Sequence, residues 1–434
     1  MANRPARIQA APDARVATLS WAGDYAEAWK RIEAGGPETY YAQRYSVNAT
    51  AELAKEVAEL TVICLHSTEA YEEMLSNGIR AIGLGSSHHP LAVVRLLERL
   101  SLTHLVLGMP DWRYAAWALA RGVDLLPVLA DSFRKTPIRG KGLRQEIRET
   151  RKTVETWLFA RLLSRPSVHW VANHNTPASR DLVRIGVDAK KVVPWDWPPA
   201  IAPSMFPVKL PPVGRRARIV FVGAVVPSKG VGDVIHAAAI LKKSGLDIGI
   251  KVIGGGEIEA HRSLATDLGL VDTVVFLGQT PHAEVIEHLQ AADIAIVPSW
   301  HEYPEGLPMT IYESLATRTP LICSDHPMFV EKLAGRVPMY PAKDIEALAS
   351  CVQSLLLDPA HFGRLSASAE EVWKGLLCEM RPTEVVRAWL RNSAEDRDRL
   401  SRHSLFALDA RAHKVQSEGH ARVGGSGCFP PLSV

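Results

Sequence analysis

The stretch from Asp293 to Asp325 constrains the fold of this chain more than any other. It begins with the apolar run DIAIVP and ends with a second apolar run, LICSD, and both are typical of buried strands. Between them, LPMTIYESLATR places Leu307, Ile311 and Leu315 four residues apart, which is the spacing of one helix face. The order strand, loop, helix, strand predicts a parallel sheet, because parallel strands need a crossover connection.

Two carboxylates bracket the start of this predicted helix. Glu305 lies in the loop before it, and Glu313 lies one to two turns inside it. Pro308 suits the first helical turn, where a missing backbone N–H costs nothing. The free N–H groups of that turn and the positive end of the helix dipole form an anion site. The segment therefore predicts a site for a ligand that is both an anion and a polyol, such as a nucleotide-sugar. The alternative is an ordinary amphipathic helix with solvated carboxylates.

The string PEGLPMTIYE resembles the E-x7-E signature of the GT4-like retaining glycosyltransferases (glycosyl transferases group 1), which have the two-domain GT-B fold. The resemblance implies that Glu305 bonds hydroxyls of the donor hexose and that Glu313 holds the ribose hydroxyls of the nucleotide. It also implies that the amides of Gly306, Leu307 and Met309 lie against the sugar and the diphosphate.

Two further stretches of the second half agree with this resemblance. RIVFVG is a strand that ends in Gly223, and Lys229 precedes the next predicted helix, which makes a phosphate cradle. It resembles the family motif G-R-x-x-x-x-K-G, although Ala224 stands where the family has arginine. Lys229 is thus the expected catalytic cation for the leaving diphosphate, and the resemblance implies no metal and no other cofactor. The turn in IGIKVIGGGE supplies Gly255, either as a donor contact or only as a tight turn.

The first half matches the family only in outline. Gly36 belongs to a Gly-Gly pair between the first predicted strand, RVATLS, and the first predicted helix, TAELAKEVAEL. It resembles the family's diphosphate-approaching loop, and a plain flexible turn is the alternative. The strand DLLPVLAD ends in Ala130 and Asp131, where the family usually carries a histidine near the donor. Asp131 is either a catalytic general base for the acceptor or only a loop cap.

A proline-rich segment separates two halves of strand–helix alternation. The predicted fold class is α/β, with two doubly wound Rossmann-like domains facing each other across a cleft, as in GT-B proteins. The expected organisation is an acceptor-side domain (1–198), a linker (199–214), a nucleotide-sugar-binding domain (215–380), a C-terminal helix packing back on the first domain (381–392) and a disordered tail (393–434).

Charge and composition limit the partners. With 50 Lys and Arg against 47 Asp and Glu, the formal charge of +3 argues against a dedicated nucleic-acid binder. The five cysteines include no C-x-x-C pair, which indicates free thiols in a reducing compartment. Because the sequence shows no apolar signal region and no run of roughly 18 apolar residues, we expect a cytoplasmic location.

Basic residues are concentrated in residues 134–165, where Lys and Arg far outnumber Glu. The second half of this segment is predicted to be helical. Two interpretations remain open: a solvated helix on the rim of the cleft, or peripheral contact with the anionic inner membrane surface or a lipid-linked acceptor.

Together these features predict a retaining, metal-independent hexosyltransferase. It would move a hexose from a nucleotide-diphospho-sugar to a saccharide or lipid-linked acceptor in polysaccharide or glycolipid synthesis. The alternative is a GT-B protein that binds a sugar nucleotide as a scaffold or partner subunit, since the family Arg and His are both absent. A GT-B sugar-nucleotide epimerase is disfavoured by the E-x7-E string.

Overall fold

Two β-sheets organise the chain in the computed structural model, which describes residues 11–20, 23–39, 42–85, 89–133 and 143–412, with only the backbone for 143–145. Strands of the first sheet lie within residues 11–195, and strands of the second lie within residues 217–340. Each half of the chain therefore builds its own sheet.

The first sheet has eight strands within the described residues. They are β1 (Ala11–Ser20), β2 (Val57–Cys64), β3 (Ala70–Met74), β4 (Arg80–Leu84), β5 (His104–Leu107), β6 (Asp124–Leu129), β7 (Val171–His174) and β8 (Val192–Trp195). Their order is β3-β4-β2-β1-β5-β6-β7-β8, and all pairs are parallel except β3–β4. The helices of this half are α1 (Tyr25–Glu33), α2 (Gln43–Ala54), α3 (Pro90–Arg99), α4 (Trp112–Ala120), α5 (Leu143–Leu163) and α6 (Thr176–Arg184).

The second sheet is parallel throughout. Its strands are β9 (Ala217–Val222), β10 (Ile248–Ile253), β11 (Val274–Gly278), β12 (Ile294–Val297), β13 (Leu321–Ser324) and β14 (Met339–Tyr340). Their order is β11-β10-β9-β12-β13-β14. The helices are α7 (Val231–Lys243), α8 (Ile258–Asp267), α9 (His282–Ala291), α10 (Met309–Ala316), α11 (Pro327–Leu333), α12 (Ile345–Leu357) and α13 (Pro359–Leu376), followed by α14 (Pro382–Arg391) and α15 (Ala394–Arg402).

Strand order fixes where a ligand can bind in the second half. β10 lies on one side of β9 and β12 lies on the other, so the winding reverses between β9 and β12. The loops that leave the carboxyl ends of two such strands separate and open a crevice. The loop after β9 carries Lys229, and the loop after β12 carries Glu305. The two predicted donor residues thus share one crevice.

Apolar side chains cover both faces of each sheet, as parallel strands require. One face of the first sheet is completed by residues of α14, including Val385 and Trp389. The Trp389 ring meets the His104 ring edge-on at a centroid distance of 5.0 Å. Arg387 of the same helix forms an ion pair with Glu56 at 2.9 Å. The chain therefore returns to the first half after completing the second.

The proline-rich segment is fastened to the second half. Residues 199–214 contain one 3₁₀ turn, Pro203–Met205, and otherwise lack helix and strand. The Lys209 ammonium donates to the carbonyls of Leu289 and Ala292 at 2.9 and 2.5 Å and to Thr319 Oγ1 at 2.7 Å. These bonds tie the segment to the carboxyl end of α9.

The structure corrects two expectations about the first half and the tail. Helix α1 precedes Gly36, so the Gly-Gly pair follows a helix instead of separating β1 from the first helix. Asp24 caps α1 with its carboxylate, a local signal within a polar, aromatic stretch.

The expected disorder from residue 393 onward is wrong for its first part. Ala394–Arg402 forms α15, and residues 405–412 are also helical. Ser393 caps α15, while Leu400 and Leu405 are buried against the first half. Two buried leucines in a highly charged run are enough to order these helical residues, because the leucines pack on a surface that the first half already provides. Residues 413–434 lie outside the described residues.

Candidate active site

Lys229 and Glu305 meet at the crevice between β9 and β12, although 76 residues separate them. The Lys229 ammonium donates to Glu305 Oε1, and Ser299 Oγ donates to the same oxygen at 2.6 Å. The Lys229 ammonium also lies 4.6 Å from the centroid of the Tyr303 ring. Side-chain exposure is only 12% for Lys229 and 7% for Glu305. Two opposite charges that are this well shielded from water attract each other strongly. An incoming anion must therefore compete with Glu305 for Lys229.

Glycines allow the loops around Lys229 to approach one another. Gly230 has a φ of 75°, and a Cβ there would lie 2.2 Å from the carbonyl oxygen of Pro298. A Cβ on Gly254, whose φ is 139°, would lie 1.9 Å from the carbonyl oxygen of Gly223. Gly255 itself has room for a side chain, since its nearest neighbour would be 3.7 Å away. The close approach of this loop to the Gly223 carbonyl therefore depends on Gly254, and not on the predicted Gly255.

Helix α10 begins one residue later than the sequence suggests. Pro308 is its N-cap, with extended backbone angles of −68° and 144°, and it does not lie in the first turn. Its ring is compatible with this position because the cap needs no N–H of its own. Within the described residues, the N–H groups of Gly306, Leu307 and Met309 have no acceptor. Three backbone donors are thus free beside Lys229, as an anion site requires.

Glu313 lies inside α10 and is buried. Its Oε1 lies 2.6 Å from Nε2 of His282, the first residue of α9. The hydrogen bond to Glu313 raises the pKa of His282, and the carboxylate of Glu38 in the first half acts on this pKa in the same direction. His282 was not predicted as a site residue from the sequence, because a histidine at the start of a helix has no distinctive local pattern.

The first half reaches the donor loop through His174 and Asn175, at the carboxyl end of β7. A Cβ on Gly306 would lie 4.0 Å from His174 Nδ1 and 3.9 Å from Asn175 Nδ2. From the sequence, no role was predicted for this segment beyond its inclusion in the acceptor-side domain (1–198). Its signal was the string NHN directly after a buried strand, which places polar side chains at a sheet edge.

Asp131 lies at the carboxyl end of β6, beside this segment. Its backbone N–H donates to Asn173 Oδ1 at 3.2 Å, and its carbonyl accepts from Asn173 Nδ2 at 3.0 Å. Burial raises the pKa of the Asp131 carboxyl, and the Lys152 charge partly offsets this. Within the described residues, its carboxylate pairs with neither Lys229 nor Glu305. The structure therefore separates Asp131 from the charged pair.

Within the described residues, no group of three His, Cys, Asp or Glu side chains is arranged to hold a metal ion. Likewise, none of the helices described has the length and apolarity needed to cross a bilayer.

Comparison with known proteins matches the second half most specifically. Residues 206–372 match the family described as glycosyl transferases group 1. The amylovoran biosynthesis glycosyltransferase AmsK of Erwinia amylovora is 32% identical over 162 residues, which are 36% of this chain and 40% of AmsK. The glycogen synthase of Mycobacterium tuberculosis is 29% identical over 347 residues, 74% of this chain and 78% of that enzyme.

Solved structures share the arrangement of both halves. The structure of Anabaena HepE in complex with UDP superposes with a TM-score of 0.59 at 14% identity, over 84% of this chain and 95% of HepE. The two parallel sheets facing a common cleft are those of the GT-B fold, as the sequence predicts.

Proposed function

Because the chain has a GT-B fold and a glycosyl transferases group 1 domain at residues 206–372, we propose that it is a retaining glycosyltransferase. It transfers a hexose from a nucleotide-diphospho-sugar to a saccharide or lipid-linked acceptor. The observation that carries this proposal is the meeting of Lys229, three free N–H groups and two buried carboxylates, Glu305 and Glu313, at one sheet edge.

Each group matches one part of such a donor. Lys229 and the free amides at the start of α10 neutralise the diphosphate, whose negative charge grows as the hexose leaves. Oε1 of Glu305 is occupied by Lys229 and Ser299, and its Oε2, which has no donor among the described residues, accepts from hexose hydroxyls. Glu313 bonds His282 through Oε1 and offers its other oxygen to the ribose hydroxyls.

The charge arrangement supports a reaction that needs no metal. The Lys229 ammonium is already in place, so it can bind the leaving diphosphate with little reorganisation. Donor entry requires Lys229 to exchange its bond with Glu305 for bonds to phosphate oxygens. After that exchange Ser299 still donates to Oε1 of Glu305, and Oε2 remains the oxygen that accepts from the hexose.

The acceptor side of the proposal rests on Asp131. A partly buried carboxyl whose pKa is raised by desolvation is a better base than a fully exposed aspartate. Its position at the end of β6, in the first half, suits contact with an acceptor entering opposite the donor. We propose that Asp131 accepts the proton of the attacking hydroxyl.

The relatives support a role in assembling a saccharide polymer or glycolipid. One matched relative bears the name of an amylovoran biosynthesis enzyme and another that of a glycogen synthase, and a structural neighbour was solved with UDP. A nucleoside diphosphate leaving group fits the Lys229 site by charge.

Donor turnover tests the proposal against the scaffold alternative. UDP-, GDP- and ADP-sugars would be screened by thermal shift, since a ligand at 100 times its Kd adds about 2.7 kcal/mol of stability. The stabilising donor would then be incubated with and without saccharide acceptors, and the anomeric configuration of the product read by NMR. We expect measurable turnover and a product with the donor's anomeric configuration.

Two variants make this experiment decisive. Glu305→Gln should reduce turnover, whereas Glu346→Gln, an exposed change on α12, should not. Donor binding without turnover in wild type would favour the scaffold, and an inverted product would refute retention.

Helix α5 supports contact with an anionic membrane surface. Residues 134–142 of the basic segment lie outside the described residues, but most of residues 146–154 are exposed. Ile147, Val154 and Trp157 are 60%, 49% and 54% exposed, which is high for large apolar side chains. Arg148 and Arg151 lie among them on the helix. An apolar stripe with flanking arginines suits the headgroup region of an anionic bilayer, where a lipid-linked acceptor would reside.

Vesicle sedimentation tests this contact. Wild type should bind vesicles containing phosphatidylglycerol, and binding should weaken with added salt. Changing Arg148, Arg151 and Lys152 to Gln should cost about 1 kcal/mol per residue. The matched control changes Lys190, Lys242 and Lys243 to Gln, away from α5. Equal binding by both triple variants would leave only the solvated-rim interpretation.

A further inference from the structure

A buried pair of polar side chains from the first half faces the loop proposed to hold the hexose. His174 and Asn175 end β7, and both are buried. Gly306, which they approach, follows Glu305 directly. Polar atoms of the first half therefore lie beside the sugar end of the proposed donor site.

Asp196 and Asn175 together fix which nitrogen of His174 carries a proton. Its Oδ1 accepts from the Trp197 N–H at 3.2 Å and lies 3.0 Å from His174 Nε2. Its Oδ2 accepts from the Tyr312 hydroxyl at 2.9 Å and the Cys378 N–H at 3.3 Å. The Asn175 amide nitrogen Nδ2 can only donate, and it lies 3.4 Å from His174 Nδ1. This contact assigns Nδ1 as the acceptor and Nε2 as the nitrogen that donates to Asp196 Oδ1.

Asn175 is held in a conformation that few residues other than glycine adopt. Its φ is 58° and its ψ is 166°, a combination that is strained for a residue with a side chain. Its N–H donates to the Trp195 carbonyl at 2.8 Å, and its own carbonyl accepts from Ser179 Oγ at 2.7 Å. Oδ1 accepts from the Ala178 N–H at 3.0 Å, so the amide cannot flip and Nδ2 faces Gly306.

These constraints present one acceptor and one donor side by side. His174 Nδ1 and Asn175 Nδ2 lie 3.4 Å apart, which is a long contact for a hydrogen bond. A hydroxyl group can donate to the first and accept from the second. A sugar hydroxyl is therefore the matching ligand group, whereas a phosphate oxygen could satisfy only the amide.

We propose that His174 and Asn175 read one hydroxyl of the transferred hexose, with Asp196 as the positioning residue. The proposal rests on the proposed function and deepens it by assigning sugar selectivity to the first half. Tyr312 precedes Glu313 in α10, so its bond to Asp196 sets this pair in register with the donor carboxylates. Selectivity then requires both halves in the aligned state.

The test measures what the hexose adds to binding. Calorimetry would give the Kd of the nucleoside diphosphate, of the best sugar donor and of its monodeoxy analogues. Asn175→Asp keeps the capping oxygen and replaces the amide donor with a charged carboxylate oxygen, and His174→Gln replaces the fixed ring acceptor with a flexible amide. Asp196→Asn reaches the sugar only through His174. The exposed histidine change His169→Gln is the control.

Wild type should bind one monodeoxy donor roughly tenfold to a hundredfold more weakly than the full donor. The His174, Asn175 and Asp196 variants should lose that discrimination and bind the bare diphosphate within about twofold of wild type. Transfer kinetics should lose the same discrimination in kcat/KM. The control should retain both.

Three outcomes would overturn the assignment. Variants that keep wild-type discrimination among all deoxy donors would show that other residues read the hexose. Parallel loss of diphosphate and sugar-donor affinity would reduce the three residues to a structural role between the halves. Failure of wild type to bind any sugar nucleotide would refute the proposed function itself, and this inference with it.

Discussion

The two sheet edges that face the cleft differ in how their polar residues are supplied. In the second half, Lys229, Glu305 and Glu313 come from two loop-helix units that flank one strand reversal. In the first half, the residues come from three distant places: the Glu38 loop, the end of β6 and the end of β7. Both edges depend on strand order, but the proposed donor residues come from only two loop-helix units, whereas the residues opposite them come from three separate loops.

This difference predicts different behaviour under mutation. The second-half residues are paired with one another and should act on the donor directly. The first-half residues act on groups that reach them across the cleft, so their loss should alter selectivity or acceptor use more than nucleotide binding. The following changes probe that contrast, from the largest expected effect to the smallest.

Lys229→Ala should have the largest effect. Removing a fixed donor to the leaving group lowers kcat roughly 10²–10³-fold, and diphosphate affinity should fall as well. Steady-state kinetics and calorimetry measure the two. Lys243→Ala, an exposed lysine on α7, is the control. If Lys229→Ala retained the wild-type kcat, the diphosphate would not bind at Lys229. The contrast between a donor edge in the second half and an opposite edge in the first half would then have no basis.

Asp131→Asn should lower acceptor-dependent transfer by about 10²-fold, because general base catalysis is lost. Donor hydrolysis by water and donor affinity should change little, in contrast to Lys229→Ala. Since burial raises the pKa of Asp131, the acidic limb of the wild-type transfer profile should lie above the ordinary range of an aspartate and vanish in the variant. Asp188→Asn, an exposed change in the same half, should leave the profile intact. An unchanged rate would identify Asp131 as a loop cap.

Glu313→Gln and Glu305→Gln should separate the two donor carboxylates. A hydrogen bond to a charged group contributes roughly 1.5–3 kcal/mol, so Glu313→Gln should weaken the bare diphosphate and the full donor alike by about tenfold or more. Glu305→Gln should leave the bare diphosphate nearly unchanged but lower transfer, because the hexose must be held while its bond breaks. Equal weakening of the bare diphosphate by both changes would contradict the assignment.

His282→Asn should have the smallest effect, on stability and its pH dependence. The pKa of His282 is raised in the folded state, so its bond to Glu313 stabilises the fold fully below the unfolded pKa of about 6.5. That contribution, roughly 1.5 kcal/mol, is lost as pH rises through the folded-state pKa. Denaturant unfolding of wild type and variant should therefore differ at low pH and converge at high pH. A constant difference would mean that packing, and not the ion pair, stabilises this position.

Sequence patterns were sufficient to place Glu305 and Glu313 at one strand end, because chain connectivity brings them there. A strand, a loop and a helix that follow one another bring Glu305 and Glu313 to the same strand end whatever the rest of the chain does. The division into two halves also followed from strand–helix alternation and from the prolines between them. The start of α10 was misplaced by one residue, since Pro308 suits a cap as well as a first turn.

Only the tertiary structure could decide which first-half residues face the loop that carries Glu305 and Gly306. His174 becomes a candidate site residue for two reasons. The strand order places β7 two strands from β5 in the first sheet, and the second half brings Gly306 against the end of β7. Asp196 and Tyr312 are 116 residues apart, and no local pattern links them. Helix α15 likewise packs on a preformed surface through Leu400, and the helical residues that follow it do so through Leu405. The sequence by itself determined the local strand-loop-helix units and the chemistry of their side chains. Strand order and packing between the halves determined which of those units meet. The physical reason is that the distance in space between two residues far apart in the chain does not follow from their separation in sequence.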